Sequence, residues 1–537
     1  MNRTRPILKK AVVSALSASM IFSAGSTVYA AGSYQETEKN ALSALVSALP
    51  DKWDTFLSKY EKSSAGSNAE ITLKIEDTGR AVLGAMMGGA DMSWLQSLSL
   101  DSNISVKDGI NAIASSVLLN DTHLCDLNLF IDFANMAEYI QIPELSESYI
   151  QAPITSDSEE EQQFFSSYLN TMSDFSALLP DSASVSTLLD RYGNMIVENI
   201  EEGASVDETV SVDGISENCT AYEGIISQTS VLSIAEAILT SAKDDPELKS
   251  IYEQWAVVAK DTSYEDFQAS IEGLLQELPS TDETDEATDS TVFATKVWTN
   301  ADGKIVGRQF NLVEDIDSTP VFTWKAPSDG TNSALLLEIA ADGSSITLTG
   351  SGQTTDNLLN GDYILAFDGV ETLNINVENL EKDSETPGYC NGTFNFSVPS
   401  VMSEDASEEN MEVNPLAGFG AVLKISADPE AETNVIEFTL TTSGAALATL
   451  SITGGYGEGP EVPDFEALGE TYDAASDESM SGYLESINWD SFVANIKSAG
   501  IPDELAVQLE ETLKAAVESA LAPEESLETE TTDVTAA

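Results

Sequence analysis

Hydrophobic and polar residues alternate along several segments of the first half of the chain. The plainest case starts at Cys125, where Cys125, Leu127, Leu129, Ile131 and Phe133 alternate with residues that are mostly polar. A period of two is typical of a strand with one buried and one wet face. The same alternation occurs over 71–75 and 98–106, so the stretch 69–142 predicts an antiparallel meander.

Other segments carry apolar residues at helical spacing. These predict helices over 42–49 and 53–60, separated by Pro50, and further helices over 164–175, 185–196, 246–255 and 263–278. Ser233 and Glu236 have the spacing of a capping box, which predicts a helix beginning there. The helices therefore interrupt the strands of the first half.

The second half is punctuated by turn signals. Asn300-Ala301-Asp302-Gly303 predicts a hairpin, and Asp329-Gly330, Asn360-Gly361 and Asp368-Gly369 predict further turns between strands. Helices are expected around Phe465 and over 489–498 and 502–521. The predicted fold class is α+β, with large curved antiparallel sheets, inserted helices, a β-rich second half and a short C-terminal helical segment. The expected regions are 31–279 (curved sheet with inserted helices), 280–290 (acidic loop or linker), 291–460 (antiparallel β), 461–522 (C-terminal helices) and 523–537 (acidic tail).

Residues 1–30 have the pattern of an export signal. Basic residues come first, an apolar stretch follows, and Val28-Tyr29-Ala30 precedes the expected cleavage before Ala31. No later stretch has the ~18 apolar residues of a membrane span. The sequence thus predicts a secreted, extracellular protein without a transmembrane segment, and association with the cell surface stays open.

Charge and composition exclude several classes of function. The 537 residues include 23 Lys and Arg, 91 Asp and Glu, and one His, for a formal charge of −68. Without residues 1–30, 19 basic residues face 91 acidic ones, and the charge is −72. Such a chain repels phosphate backbones, so nucleic-acid binding is not expected. Cys125, Cys219 and Cys390 form no C-x-x-C motif, and buried free thiols are the expected state.

Catalytic and metal-binding motifs are lacking in the sequence, so neither catalytic residues, nor metal ligands, nor a cofactor are predicted. His123 and Cys125 share strand parity, which makes a dyad geometrically conceivable, but an edge histidine of structural role is the favoured interpretation. With 91 acidic residues a carboxylate-based hydrolase is not excluded, although the sequence singles out no pair.

The segment Gly79–Trp94 combines methionines with glycines. Met86, Met87, Met92 and Trp94 are the candidate ligand-binding residues, as soft side chains of an adaptable lid over an apolar pocket. The alternative interpretation is a connection of low order between two strands.

Two segments and the element order suggest a resemblance. Asn128–Tyr149 (NLFIDFANMAEYIQIPELSESY) and Lys296–Phe310 (KVWTNADGKIVGRQF) are similar to segments of uncharacterised secreted proteins and lipoproteins of Gram-positive anaerobes. The order of helix, meander, inserted helices and further strands resembles the lipoprotein-carrier-like superfamily, whose open curved sheet is plugged by helices. This resemblance implies an apolar cavity that binds a lipid or another hydrophobic ligand.

Two hypotheses of different class follow. The first is a secreted, non-catalytic binding protein that holds a hydrophobic or amphipathic ligand between the curved sheet and the helices. The second is an extracellular structural or adhesive protein that binds a protein or glycan partner through region 291–455.

Overall fold

The computed structural model describes residues 32–107, 109–154, 178–255, 263–278, 290–314, 317–341, 343–382, 389–399, 416–468 and 471–520. The chain forms two compact units. The large unit comprises residues 1–64 and 160–456, and the small unit comprises residues 65–159 and 457–537. The predicted export signal, the predicted helix at 164–175 and the acidic tail at 523–537 lie outside the described residues.

The bounds of the elements follow in chain order. The helices are α1 (Tyr34–Ala65), α2 (Asp77–Met86), α3 (Ser182–Glu198), α4 (Gln228–Lys243), α5 (Pro246–Trp255), α6 (Tyr264–Glu277), α7 (Asp477–Ser486), α8 (Trp489–Ser498) and α9 (Asp503–Ala520). The strands are β1 (Ser67–Ile75), β2 (Ser97–Lys107), β3 (Ile110–Leu119), β4 (Thr122–Asp132), β5 (Ala137–Gln141), β6 (Tyr149–Pro153), β7 (Glu201–Val212), β8 (Ile215–Ser227), β9 (Thr291–Asn300), β10 (Ile305–Glu314), β11 (Asp317–Lys325), β12 (Asn332–Ala341), β13 (Ser344–Thr355), β14 (Leu358–Phe367), β15 (Val370–Glu381), β16 (Gly392–Ser397), β17 (Phe419–Asp428), β18 (Thr433–Thr442), β19 (Ala445–Tyr456) and β20 (Thr471–Asp473).

Strands β7 to β19 of the large unit form a single antiparallel meander, in which each strand pairs with the next one along the chain. Strand β8 pairs with β9, so the sheet is continuous across the acidic stretch 280–290. The strands on both sides of that stretch therefore belong to the same unit.

The core of the large unit lies between α1, α3, α4 and the first strands of this sheet. Tyr34 of α1 and Ile234 of α4 are each 1% exposed, and they pack with Ile226, Phe293 and Phe310 of the sheet. Each such side chain contributes about 1.5–3 kcal/mol when it is fully buried. This end of the sheet is thus buried beneath the helices.

Asp245 joins two helices of the large unit. It is the N-cap of α5, where the N–H groups of Glu247 and Leu248 donate to Oδ1 at 3.0 and 3.1 Å, and it pairs with Arg191 of α3. Burial raises the pKa of Asp245, but hydrogen bonds from the Leu248 N–H, Arg191 and the Tyr192 hydroxyl outweigh burial and lower it. The predicted helix over 246–255 is confirmed with the same bounds.

The small unit contains a second meander. Strands β1 to β6 pair in sequence order and antiparallel, and β20 adds to β6 in parallel. Its core includes Ala112, Phe130 and Tyr139, and Phe465 stacks on Tyr139 with ring centroids 4.1 Å apart. Helices α7, α8 and α9 close this unit.

The predicted α+β class, with curved antiparallel sheet, inserted helices, a β-rich second half and a C-terminal helical segment, is confirmed. None of the helices in the described ranges is long and apolar enough to cross a bilayer.

Four local predictions are wrong. Pro50 lies inside the continuous helix α1, Tyr34–Ala65, and does not end it. Helix α4 begins at Gln228, where the Ser227 side chain accepts from the Ser230 N–H, so the capping box at Ser233 is not used. Phe465 lies in a turn and not in a helix.

The fourth concerns Asn360-Gly361, which lies inside β14 and is not a turn. The turn is formed by Asp356 and Asn357, whose φ angles of 50° and 67° suit a tight hairpin. Gly361 is needed for close packing, since a Cβ there would lie 2.5 Å from the Ser351 carbonyl oxygen.

Candidate ligand-binding face

One face of the large unit's sheet is apolar from β11 to β19. Cross-strand register aligns Phe322 with Ile339, Ile339 with Ile346, and Ile346 with Phe367. Farther along the sheet the same face carries aligned apolar pairs, which are Leu423 with Phe438, Ile425 with Ile436, Phe438 with Leu450, and Ile436 with Ile452. We call the side chains on this face from β12 to β19 the apolar face.

The apolar face is only partly covered. Phe322 on β11 is 8% exposed, whereas its neighbour Ile339 on β12 is 49% exposed. Ile436 and Phe438 on β18 are 41% and 42% exposed. Contiguous exposed apolar side chains on a sheet mark a surface that contacts something else.

The opposite face of the same strands is mostly polar. Lys424 pairs with Glu437 at 3.0 Å, and the hydroxyl groups of Thr439 and Thr449 are 3.0 Å apart. Because neighbouring residues of a strand point to opposite sides, polar Glu437 and Thr439 flank exposed Phe438. The sheet is therefore one-sided, and its apolar side is partly exposed to solvent.

Helix α1 is anchored to this side of the sheet at its N-terminal end. The Tyr34 hydroxyl donates to Thr295 Oγ1 at 3.1 Å, and the Tyr34 N–H donates to Glu202 Oε2 at 2.9 Å. One turn later Glu38 forms a buried ion pair with Arg308 of β10. Burial and the charge of Glu38 raise the pKa of Tyr34 well above its ordinary value, so this tyrosine stays neutral.

The C-terminal end of α1 lies at the other end of the sheet. Lys62 pairs with Glu432 and lies over the ring of Tyr456, 4.4 Å from its centroid. Lys59 lies 4.5 Å from the ring centroid of Tyr389. Tyr456 has the strand parity of Ile452, so these contacts are on the apolar side of the sheet.

With contacts at both of its ends, α1 spans the apolar face. From Tyr34 to Lys62 the helix rises ~42 Å, and the ten strand spacings from β9 to β19 measure ~48 Å along the sheet. On the second half of α1, Phe56 is 49% exposed, with its ring 5.7 Å from that of Trp53. Exposed apolar side chains of α1 and of the sheet thus belong to the same side of the unit.

The ion pair of Glu38 with Arg308 that anchors α1 was not predicted from the sequence. Arg308 is 1% exposed, and no signal of ligand binding marked it or Glu38. Arg308 precedes Phe310 by two residues on β10, and this shared strand parity with an apolar aromatic residue was the available indication that Arg308 points inward.

The predicted lid residues lie in the small unit and divide into two pairs. Met86 and Met87 are 79% and 63% exposed at the end of α2, whereas Met92 is 9% exposed and Trp94 is half-buried. The lid role of Met86, Met87, Met92 and Trp94 stays a prediction.

Two of the glycines in that segment have a local role. The Gly88 N–H donates to the Ala85 carbonyl at 3.2 Å and the Gly89 N–H to the Gly84 carbonyl at 2.8 Å. Both residues have positive φ, which makes this a Schellman cap of α2. The glycine pair therefore ends a helix, and its presence does not require a mobile lid.

The small unit also carries a groove of about 600 Å³. Its lining combines amides and aromatic rings on strands with carboxylates on the segment after β19; the residues include Asn103, Asn128, Phe130, Tyr149, Glu458 and Glu461. Amides beside aromatic rings suit a polar ligand that also offers a flat apolar surface.

A dyad of His123 and Cys125 is ruled out by a β-bulge. His123 pairs with Leu118 and Cys125 with Val117, so Leu124 is an extra residue and the two side chains point to opposite faces. Burial, Glu144 and Asp126 raise the pKa of Cys125, which disfavours a nucleophilic thiolate. All three cysteines are free thiols, and burial with the charge of Glu217 raises the pKa of Cys219 to about 11.

Comparison with protein-family models, with curated proteins and with solved structures finds no match to this chain.

Proposed function

We propose that this protein is a secreted, non-catalytic binding protein that holds a hydrophobic or amphipathic ligand between α1 and the apolar face. The observation that carries the proposal is the one-sided exposure of Ile339, Ile436 and Phe438 on the side of the sheet that α1 crosses. A ligand with an alkyl or ring system would remove these side chains from water. The resemblance to lipoprotein carriers points to the same class of ligand.

A small amphiphile suits this face better than a second copy of the chain. With 91 acidic residues against 23 basic ones, two copies repel each other electrostatically. The helix α1 also lies across the face, so a flat protein surface cannot approach the strands beneath it. A thin ligand can lie beside the helix and still contact the sheet.

The test measures uptake of an apolar fluorescent dye and of a lipid mixture by the chain from Ala31 to Ala537. The probe variant is Ile436→Ser with Phe438→Ser, and the control is Glu437→Ser with Thr439→Ser on the other face of the same strand. Loss of two apolar contacts should weaken dye binding roughly 10- to 100-fold, and the control should leave it unchanged.

Native mass spectrometry then identifies the ligand class, since a bound lipid adds its mass to the chain. An unchanged mass after exposure to lipids, or equal dye binding by both variants, would refute the proposal.

We propose an extracellular location from the pattern of residues 1–30. Export should yield a protein in the medium whose N-terminus is Ala31. A protein retained in the cell with Met1 or Asn2 at its N-terminus would contradict this.

The groove of the small unit favours a second candidate function, the binding of a glycan. Tyr149 offers an aromatic face for a sugar ring, and Asn128 and Asn103 offer amide groups for its hydroxyls. Tyr149→Ala should abolish retention of the protein on an immobilised glycan that the unchanged chain binds. Tyr472→Ala leaves the groove lining intact and should not abolish this retention. Equal retention of both variants would rule the groove out.

A further inference from the structure

The single histidine of the chain lies between two carboxylates on the small unit. His123 Nε2 is 2.9 Å from Asp126 Oδ1 and 3.5 Å from Glu144 Oε1. One potential ligand atom from each of the three side chains lies within 4.8 Å of the other two. We call these three residues the His123 cluster.

The bulge at Leu124 creates this arrangement. In a regular strand, residues 123 and 126 would point to opposite faces. Because Leu124 is the extra residue, His123 pairs with Leu118 and Asp126 with Ser116, two residues that share parity on β3. The bulge therefore brings His123 and Asp126 to one face, and the Asn495 side-chain amide donates to the Leu124 carbonyl at 3.1 Å.

Each of the two carboxylates also accepts a hydrogen bond that fixes its position. The Asp126 N–H donates to Glu144 Oε2 at 2.9 Å, which leaves Oε1 as the oxygen nearest His123. Ser116 Oγ donates to Asp126 Oδ1 at 2.5 Å. The Glu144 side chain is 13% exposed, whereas that of His123 is 43% exposed. The cluster is thus fixed on its inner side and open to solvent on its outer side.

We propose that the His123 cluster binds a divalent transition-metal cation, with Zn²⁺ as the best fit. Donor atoms at ~2.0–2.1 Å from a tetrahedral Zn²⁺ lie ~3.3 Å from one another, and the distances of 2.9 and 3.5 Å bracket this spacing. An imidazole ligand selects Zn²⁺ over the oxygen-binding cations Ca²⁺ and Mg²⁺. The open outer side leaves the fourth position to water.

The hydrogen bonds just described would act as the outer-shell contacts of such a site, because they orient the carboxylates toward the metal. The acidity of the whole chain raises the local concentration of cations near its surface. Carboxylates elsewhere on the chain would also bind zinc weakly and without a defined coordination geometry. The test must therefore separate the His123 cluster from this background.

The test titrates ZnCl₂ into the chain from Ala31 to Ala537 and follows the imidazole by NMR. His123 is the sole histidine, so its ring signals need no assignment. The variants are His123→Ala and Glu144→Gln, and the matched control is Glu147→Gln, an exposed carboxylate three residues from Glu144. Far-ultraviolet circular dichroism confirms that each variant is folded.

We expect saturable binding of one Zn²⁺ that shifts the NMR signals of the His123 ring. The affinity for Zn²⁺ should fall about 10- to 100-fold in His123→Ala and in Glu144→Gln. Glu147→Gln should bind as the unchanged chain does. Zinc binding without a shift of the imidazole signals, or equal affinity in His123→Ala, would overturn the site. The readout does not depend on ligand uptake by the large unit, so either proposal can fail alone.

Discussion

The ion pair between Glu38 of α1 and Arg308 of β10 should be the most sensitive contact of the large unit. The Arg308 and Glu38 side chains are 1% and 9% exposed, so both charges are almost fully removed from water. Among the described residues, Nε and Nη2 of Arg308 have no hydrogen-bond partner. Glu38 is therefore the contact that compensates the buried guanidinium.

The perturbation is Glu38→Gln, which keeps the size of the side chain and removes its charge. Loss of one partner from a buried ion pair costs about 3–5 kcal/mol, because the other charge stays buried without compensation. The matched control is Lys39→Ala, the next residue of α1. Its pair with Glu198 is 39% and 58% exposed, and an exposed pair contributes at most about 1 kcal/mol.

The assay is equilibrium urea unfolding of each variant, which yields the free energy of unfolding. A second variant, Glu38→Leu with Arg308→Met, removes both charges and should regain most of the loss, since a well-packed apolar pair can replace a buried ion pair. The reasoning is refuted if Glu38→Gln costs less than about 1 kcal/mol, or no more than Lys39→Ala.

Three further predictions concern packing, capping and pH. Gly224→Ala places a Cβ 2.8 Å from the Tyr34 ring and should destabilise the large unit by about 1–3 kcal/mol. In α6, a Cβ at Gly273 would meet nothing within 4 Å, so Gly273→Ala should stabilise the unit by about 0.5–1 kcal/mol. Thermal unfolding distinguishes the two variants. Gly88→Ala, at φ +73°, should cost about 1–2 kcal/mol in the same assay, and no loss would contradict the Schellman cap. Because its folded pKa is depressed, Asp245 stabilises the protein above its unfolded pKa of about 3.9, and this contribution is lost as the pH falls through the lower folded value. Asp245→Asn should therefore flatten the fall in stability below about pH 4, and an unchanged acid profile would refute this.

Local patterns predicted most elements of the fold. The alternation from Cys125 to Phe133 marked β4, and the hairpin signal at Asn300 to Gly303 marked the connection of β9 and β10. These predictions succeed because side-chain periodicity and turn chemistry depend on a few neighbouring residues. The prediction of a turn at Asn360-Gly361 failed because the close strand packing that requires Gly361 cannot be inferred from its neighbours in the sequence.

The candidate sites were much less accessible to prediction. The apolar face could be foreseen as strand alternation, but the sequence does not tell which strands helices cover and which stay open. The His123 cluster was hidden by the bulge at Leu124, because a regular period of two puts His123 with Cys125 and not with Asp126.

The sequence by itself determined the fold class, the one-sided character of the strands and the strongly negative charge of the chain. These properties are sums or short-range periodicities, so they follow from the order of residues alone. Only the tertiary structure decided that α1 continues through Pro50, reaches from Thr295 to Tyr456 and leaves the apolar face between them partly exposed. That outcome depends on contacts between residues far apart in the chain, such as Glu38 with Arg308, whose formation no local pattern encodes.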